Sequence, residues 1–413
     1  CNNAQSIDLN GLDTSCTTDM RFMFSDFGTK EMASVDLSPI DTSSVTDMTE
    51  MFSRSHIKHI SLSLCNLEQV AYTNNMFEHC SVESIDMGDS HFASLIDASE
   101  MFENCSNLKS ISLSSFTAPN LQLMPSLFEG CKSIQEIDLS AIGNNCVKSM
   151  KRAFRDCDSL RTVSFGNFKS NKRISLWGAF LNDVSLRTIS MSSLSSQPID
   201  DISYAFKNCP SLEYVDISGI KTDDWTDTSY SFDSEKYPLG SFTLKVGSSF
   251  SFHTRQGNDV GPTASNDGLL TGRWVDIVSG KTFKRGGDIT GPGTFVQQKE
   301  LSRYTVSVDT QDEAFANQAI TKAIRSELVE VKDYTVNYSN NTNVGTAALT
   351  VKGINACAGQ SVSFEFNIVQ ANPQFQAPSQ IAVAYGQKTS SVALPEGFSW
   401  QSDDSHFTRL GTS

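Results

Sequence analysis

The chain has 413 residues, 38% of them hydrophobic, with 26 Phe and a formal net charge of −15. That length exceeds one ordinary domain, the Phe content excludes a disordered chain, and the acidity argues against nucleic acid or an anionic membrane surface as partners. No apolar run reaches about 18 residues and no charged segment followed by an apolar one opens the sequence, so neither a membrane span nor a signal peptide is read.

Along the first 240 residues the chain compares with itself. Phe24, Phe52, Phe77, Phe102, Phe128, Phe154, Phe180, Phe206 and Phe232 are separated by 28, 25 and 25 residues and then five times by 26. Met or a small residue precedes most of them, and Met20, Met48, Met124, Met150, Leu176 and Ile202 stand four before. Apolar residues at i, i+3 and i+4 predict a short helical turn. Cys80, Cys105, Cys131, Cys157 and Cys209 follow three residues after their Phe, and segments such as "LKSISLSSF" and "IQEIDLSAI" alternate at period two, each predicting one short strand. A unit this small cannot bury its own apolar face, so copies must stack. The expected fold is an α/β repeat solenoid, leucine-rich-repeat-like, with a parallel sheet and short helical turns over residues 1–250. About ten turns at ~4.8 Å per strand give a rod on the order of 45 to 50 Å.

The strand and turn motif, "L-x-x-I-D-L-S" then "D-T-S-x-V-T-D-M-x-x-M-F" and Cys, resembles the BspA-like leucine-rich repeat of bacterial surface proteins, the subtype with the consensus "TSNVTDMSxMFxxCxxL". The resemblance covers residues 1 to about 250. It implies a cell-surface or secreted interaction protein of the kind often proposed as an adhesin. Late units depart from it: Asp183 replaces the Cys, Arg173 takes an apolar position, and the last unit carries Trp225 and Ser231. "CNNAQSIDL" at the start aligns with "CSNLKSISL" at 105, so Cys1 reads as a repeat cysteine in a chain cut inside a repeat, not as a lipidated terminus.

Ladder cysteines one coil apart would have Cα atoms ~5 Å apart, inside the disulfide window, yet stacked side chains run parallel, so buried thiols are expected. No CxxC occurs, and neither a metal nor a cofactor is expected. One strand column reads Asp8, Asp36, Ser61, Asp86, Ser112, Asp138, Ser164, Ser190 and Asp216. Three readings compete for these exposed carboxylates: a solvated acidic face, which is favoured, a cation-attracting stripe, and a dock for a basic partner. The variable outward strand residues Lys109, Gln135, Arg161, Arg187 and Glu213, with Asp86, Asp138 and Asp216, form the candidate binding surface.

Beyond the repeats, "GRWVDIVSGKTFKRGGDITGPGTFVQQ" at 272–298 predicts a cap over residues 251–300 packed on Trp274, Phe283 and Phe295. Residues 301–370 turn to β texture, and "DYTVNYSNNTNVGTAALTVKG" resembles a bacterial Ig-like stalk module. Residues 371–413 predict the start of a second, cut module, and "LPEGF" at 394–398 reads as a turn rather than a sortase signal. His56 and His59 have no assignable carboxylate partner, and no G-x-S-x-G, H-E-x-x-H or P-loop occurs. The expectation is therefore a monomeric, extracellular binding protein, not an enzyme, attached to the cell wall through downstream sequence. Its partner would be a protein or glycan of a host or neighbouring cell. The competing expectations are a structural spacer and an accessory part of a larger enzyme.

Overall fold

The computed structural model describes residues 7–28, 34–89, 91–142, 146–166, 168, 170–192, 194, 198–233, 242–252, 270–284, 288–289, 291–299, 301, 311–314, 333–370, 384 and 386–394. The chain divides into two compact units, one of residues 1–308, 323–337 and 349–364, the other of 309–322, 338–348 and 365–413. Cys1 and residues 395–398 lie outside the described residues, as does most of the expected second module.

In the first unit, nine short strands recur once per coil: β1 Ser34–Val35, β2 His59–Ser61, β3 Ser84–Asp86, β4 Ser110–Ile111, β5 Glu136–Asp138, β6 Thr162–Ser164, β7 Thr188–Ser190, β8 Tyr214–Ile217 and β9 Thr243–Val246. Neighbours pair in parallel and in register, for example Ile60 with Ile85 and Ile137 with Val163, except between β4 and β5, where the sheet is interrupted. Eight steps separate β1 from β9, about eight turns rather than the expected ten, so the stack is on the order of 40 Å long. The central residue of most strands points inward, flanked by exposed neighbours, and Val35, Ile60, Ile85, Ile137, Val163, Ile189, Val215 and Leu244 line one wall of the core.

The Phe column fills the opposite wall. From Phe24 to Phe232 consecutive rings lie 4.9–6.0 Å apart and 3–21° from parallel, all essentially without solvent exposure. Phe102 stacks on Phe128 at 5.0 Å, so the core runs unbroken past the interruption in the sheet.

Among the described residues the helical turns expected at the Phe positions are absent, and the spacing of the coils explains why. An α-helix with its side chains is about 10–12 Å across and cannot repeat every ~5 Å. Consecutive β-turns carry the chain instead. Around Phe52, Met51, Ser53 and Ser55 donate N–H to the carbonyls of Met48, Glu50 and Phe52 (3.1, 3.1 and 3.0 Å). The alternate residues Met48, Glu50, Phe52 and Arg54 donate to the next coil, at Tyr72, Asn74, Met76 and Glu78 (3.0, 2.9, 2.8 and 2.7 Å). The first and third turns place a residue with positive φ at their third position, here Glu50 (54°) and Arg54 (56°), the geometry of type II turns. The second such position, two residues after each Phe, holds Asp26, Asn104, Gly130, Asp156, Asn182 and Asn208 in other coils, residues that tolerate this conformation.

At the C-terminal end β9 pairs in parallel with β8 and antiparallel with β12 Gly293–Lys299, which pairs with β10 Leu270–Asp276, itself paired with β11 Thr282–Phe283. Phe242 continues the ring column at 5.5 Å from Phe232, and Trp274 closes it edge-on at 5.4 Å. Beyond the cap, Leu301, Tyr334, Val351 and Cys357 make a small second core. Gln298 Nε2 donates to the Ala358 carbonyl at 2.9 Å, and Lys299 pairs with Asp333 at 3.3 Å.

Strand β13 Gln311–Ala314 pairs in parallel with β16 Ser361–Gln370, in a sheet of order β13-β16-β15-β14 with β14 Tyr334–Ser339 and β15 Gly345–Gly353. An Ig-like sandwich requires two packed sheets, and the described residues here supply one.

Candidate functional site

Parallel coils in register turn each repeat position into a straight row, so a site here is a row of side chains. On the strand face, Lys58, Glu83, Lys109, Gln135, Arg161, Arg187 and Glu213 are one such row. Its neighbours are joined by backbone bonds from Glu83 to Lys58, Arg161 to Gln135, Arg187 to Arg161 and Glu213 to Arg187 (2.8, 2.8, 2.9 and 2.8 Å). Register thus brings the expected binding residues together. Their charges are largely spent within the row: Lys109 and Lys58 share Glu83 at 3.2 and 3.9 Å, and Arg187 meets Glu213 at 2.9 Å.

The aspartate column has a local purpose. Asp86 Oδ1 accepts the Gly88 N–H, Asp138 Oδ1 that of Ser140 and Asp216 Oδ1 that of Ser218, each at 2.9 Å, turning the corner after the strand. Those bonds hold the Asp86 and Asp138 carboxyls below the usual range. The same bond recurs at a second corner, from Thr49 to Asp47, Ser99 to Asp97, Ser203 to Asp201 and Ser229 to Asp227. Asp216 corrects the expectation of a uniformly exposed column: it is 5% exposed, and Lys245 from β9 reaches it at 3.0 Å. Burial opposes its charge, but Ser218 and Lys245 still hold its carboxyl below the usual range.

The ladder cysteines are free thiols, as are Cys16, Cys65, Cys146 and Cys357. Cys80, Cys105, Cys131, Cys157 and Cys209 are buried, and burial pushes their thiols up. Arg173, at an apolar position of the repeat, instead staples coils together. Its guanidinium reaches both oxygens of Asp223 (2.6 and 3.1 Å) and the Ile199 carbonyl (3.1 Å).

The turn face carries rows that the sequence reading did not single out. In its first half the position after Phe77, Phe102 and Phe128 holds Glu78, Glu103 and Glu129. Burial, with Glu100, Glu129 and Glu78 alongside, pushes the Glu103 carboxyl up to about 7. The second half changes character. Half-buried Trp177, Tyr204 and Tyr230 form a ring column, with centroids 6.0 and 5.1 Å apart. The Arg152 guanidinium lies 5.6 Å over Trp177, and Lys207 Nζ lies 5.3 and 5.9 Å from the two tyrosine rings. Tyr204 and Tyr230 hold positive φ (59° and 56°), where no repeat rule calls for an aromatic residue.

Residues 70–213 match the family described as BspA type leucine-rich repeat region, in six copies. The coils between residues 70 and 213 are thus BspA-type leucine-rich repeats. Repeats of this type are typical of bacterial surface proteins. Residues 1–116 match a family described as Mycoplasma protein of unknown function, DUF285, which overlaps the first BspA-type coils. No curated protein matches the chain. Among the described residues no helix is long and apolar enough to cross a membrane, and no group of three or more His, Cys, Asp or Glu is placed to hold a metal.

Proposed function

We propose that this chain is displayed outside the cell and binds a protein or glycan of a host or neighbouring cell along its BspA-type solenoid. The observation that carries the reading is the Trp177, Tyr204 and Tyr230 column with Arg152 and Lys207. Trp, Tyr and Arg dominate the energetics of protein interfaces, and rings already stacked and flanked by cations lose little freedom on binding. On this reading recognition lies on the turn face, with the Lys109 to Glu213 row beside the sheet as a weaker contributor. Binding rather than catalysis is the reading because many charged side chains of both faces, Asp86, Asp138, Glu83, Arg187 and Lys207 among them, serve corners, ion pairs and ring stacks.

A spacer without its own ligand is the second reading, and the self-paired charges of Lys109, Glu83, Arg187 and Glu213 favour it. The test is binding of the full chain to extracellular-matrix proteins, mucins and whole bacterial cells at two salt concentrations. Saturable retention that weakens modestly with salt supports recognition by rings and cations. Retention by none of these surfaces overturns it in favour of the spacer.

A further inference from the structure

One rung of the thiol ladder is made of different chemistry. At four rungs a thiol donates to the carbonyl of a Phe in the preceding coil: Cys105 to Phe77 at 2.9 Å, Cys131 to Phe102 at 3.1 Å, Cys157 to Phe128 at 3.1 Å and Cys209 to Phe180 at 2.9 Å. Each sulfur also faces a backbone N–H of the rung before it, Cys80 for Cys105, Cys105 for Cys131 and Cys131 for Cys157. A single sulfur therefore accepts from one coil position and donates to another. The series leaves out the carbonyl of Phe154, and the residue whose turn it is to meet it is Asp183, three after Phe180.

Asp183 is fully buried. Its Oδ1 accepts the Cys157 N–H at 2.9 Å, the role a ladder sulfur plays as acceptor. Taking that N–H has a consequence. The backbone N–H groups of Cys80, Cys105, Cys131 and Asp183 close onto the carbonyls of Phe77, Phe102, Phe128 and Phe180 (3.0, 3.2, 3.1 and 3.2 Å), whereas that of Cys157 goes to Asp183; among the described residues the carbonyls of Phe154 and, at the last rung, Phe206 receive no hydrogen bond. Asp183 Oδ2 is likewise buried without a partner. Buried acceptors left unpaired are costly, and a proton on Oδ2 that followed the thiol pattern to the Phe154 carbonyl would satisfy both.

We propose that Asp183 is carried as a neutral carboxylic acid whose Oδ2–H donates to the Phe154 carbonyl, making this a rung of the ladder that weakens as pH rises. The surroundings agree. Burial pushes the Asp183 carboxyl well above the carboxylate range; the Cys157 N–H opposes this, and the nearby Asp156 and Asp158 add to it. Among the described residues, the remaining ionisable groups against it are the thiols of Cys157 and Cys209, and no cation contributes. The rung lies in the coil that carries Trp177, so its opening would loosen the support of the turn-face column. The inference itself rests on the core alone.

The sign follows from linkage. An acid whose folded value lies above its unfolded value near 4 makes the folded chain bind more protons, so its contribution to stability falls as pH rises from there. Asp183→Asn supplies the test, because the amide offers one oxygen to Cys157 and one N–H to Phe154 at every pH. The full chain and D183N are unfolded in urea between pH 5 and pH 9. The unfolding constants of the two are expected to lie closest at pH 5, the low end of this range, and that of the wild type to rise relative to D183N by up to about tenfold per pH unit above it. A ratio that stays flat with pH, or that falls, overturns the proposal. Infrared difference spectra of the folded proteins give a readout that does not depend on the stability of the variant. In the spectrum of the wild type minus that of D183N at pH 7, where the Glu103 band cancels, the carbonyl band of a protonated carboxyl should remain, and its absence from that difference overturns the proposal equally.

Discussion

The Phe column and the turn-face row lie in the same coils, repeat at the same spacing and are set by the same backbone, yet they behave oppositely. Inside, nine Phe stack from one end to the other without a substitution. Outside, the position two before each Phe runs Phe22, Glu50, Asn75, Glu100, Ser126, Arg152, Gly178, Tyr204, Tyr230. The inner position has neighbours above, below and across the core, so a change of volume leaves a void or a clash. The outer one has neighbours above and below only, so its chemistry is free to vary, and variation there is where recognition can be written.

Substitutions of decreasing severity separate the two. Phe128→Ala, between rings at 5.0 and 6.0 Å, should cost about 3–5 kcal/mol in urea unfolding, because flanking coils cannot close the void. A loss under about 1 kcal/mol would mean that the column is not the core. Cys131→Ala removes a buried sulfur and its bond to Phe102 and should cost about 1–2 kcal/mol.

Asp223→Asn probes the staple between coils, with an expected loss of about 1 kcal/mol at pH 7 for a partly exposed bidentate pair. Arg173 holds the Asp223 carboxyl down to about 2. A carboxyl lowered on folding contributes stability that is present above its unfolded value near 4 and lost as pH falls toward 2, so the difference between D223N and wild type should vanish over that window. A difference that persists at pH 2 would contradict the assignment. Lys109→Ala with Arg187→Ala, on the exposed strand row, should change stability by no more than about 0.5 kcal/mol, measured at low and high salt.

The same contrast explains what could be read from the sequence. The Phe and Cys columns were legible because a fixed period with fixed chemistry can mean little else than stacking. The turn was misread because Met48, Met51 and Phe52 face inward both on a helix and on consecutive β-turns, so apolar spacing cannot separate the two. The discriminating signal was present two residues after the Phe, where Asn104, Gly130, Asp156, Asn182 and Asn208 mark positive φ. The aspartates of the strand column are exposed as expected except Asp216, and they also form corners, a role visible in the recurring Asp-x-Ser spacing. Asp216 could not be placed because 29 residues rather than 26 separate Tyr214 from its partner Thr243, which brings Lys245 onto it. Trp177, Tyr204 and Tyr230 lie 26 to 27 residues apart and meet only once the coils are stacked.

The most direct test of the account replaces the turn-face rings with residues that the same positions hold in other coils. Trp177→Ser follows Ser99 and Ser203, and Tyr204→Asn with Tyr230→Asn follows Asn75, which keeps positive φ tolerable. Binding of this triple variant to the surface that retains the wild-type chain would be compared with that of Lys109→Ala, Arg161→Ala, Arg187→Ala. The account predicts at least about a tenfold loss of affinity for the ring variant and less than about threefold for the strand-row variant, near 1.4 and below about 0.7 kcal/mol. Equal binding by the ring variant and wild type, or a larger loss from the strand row, would contradict it.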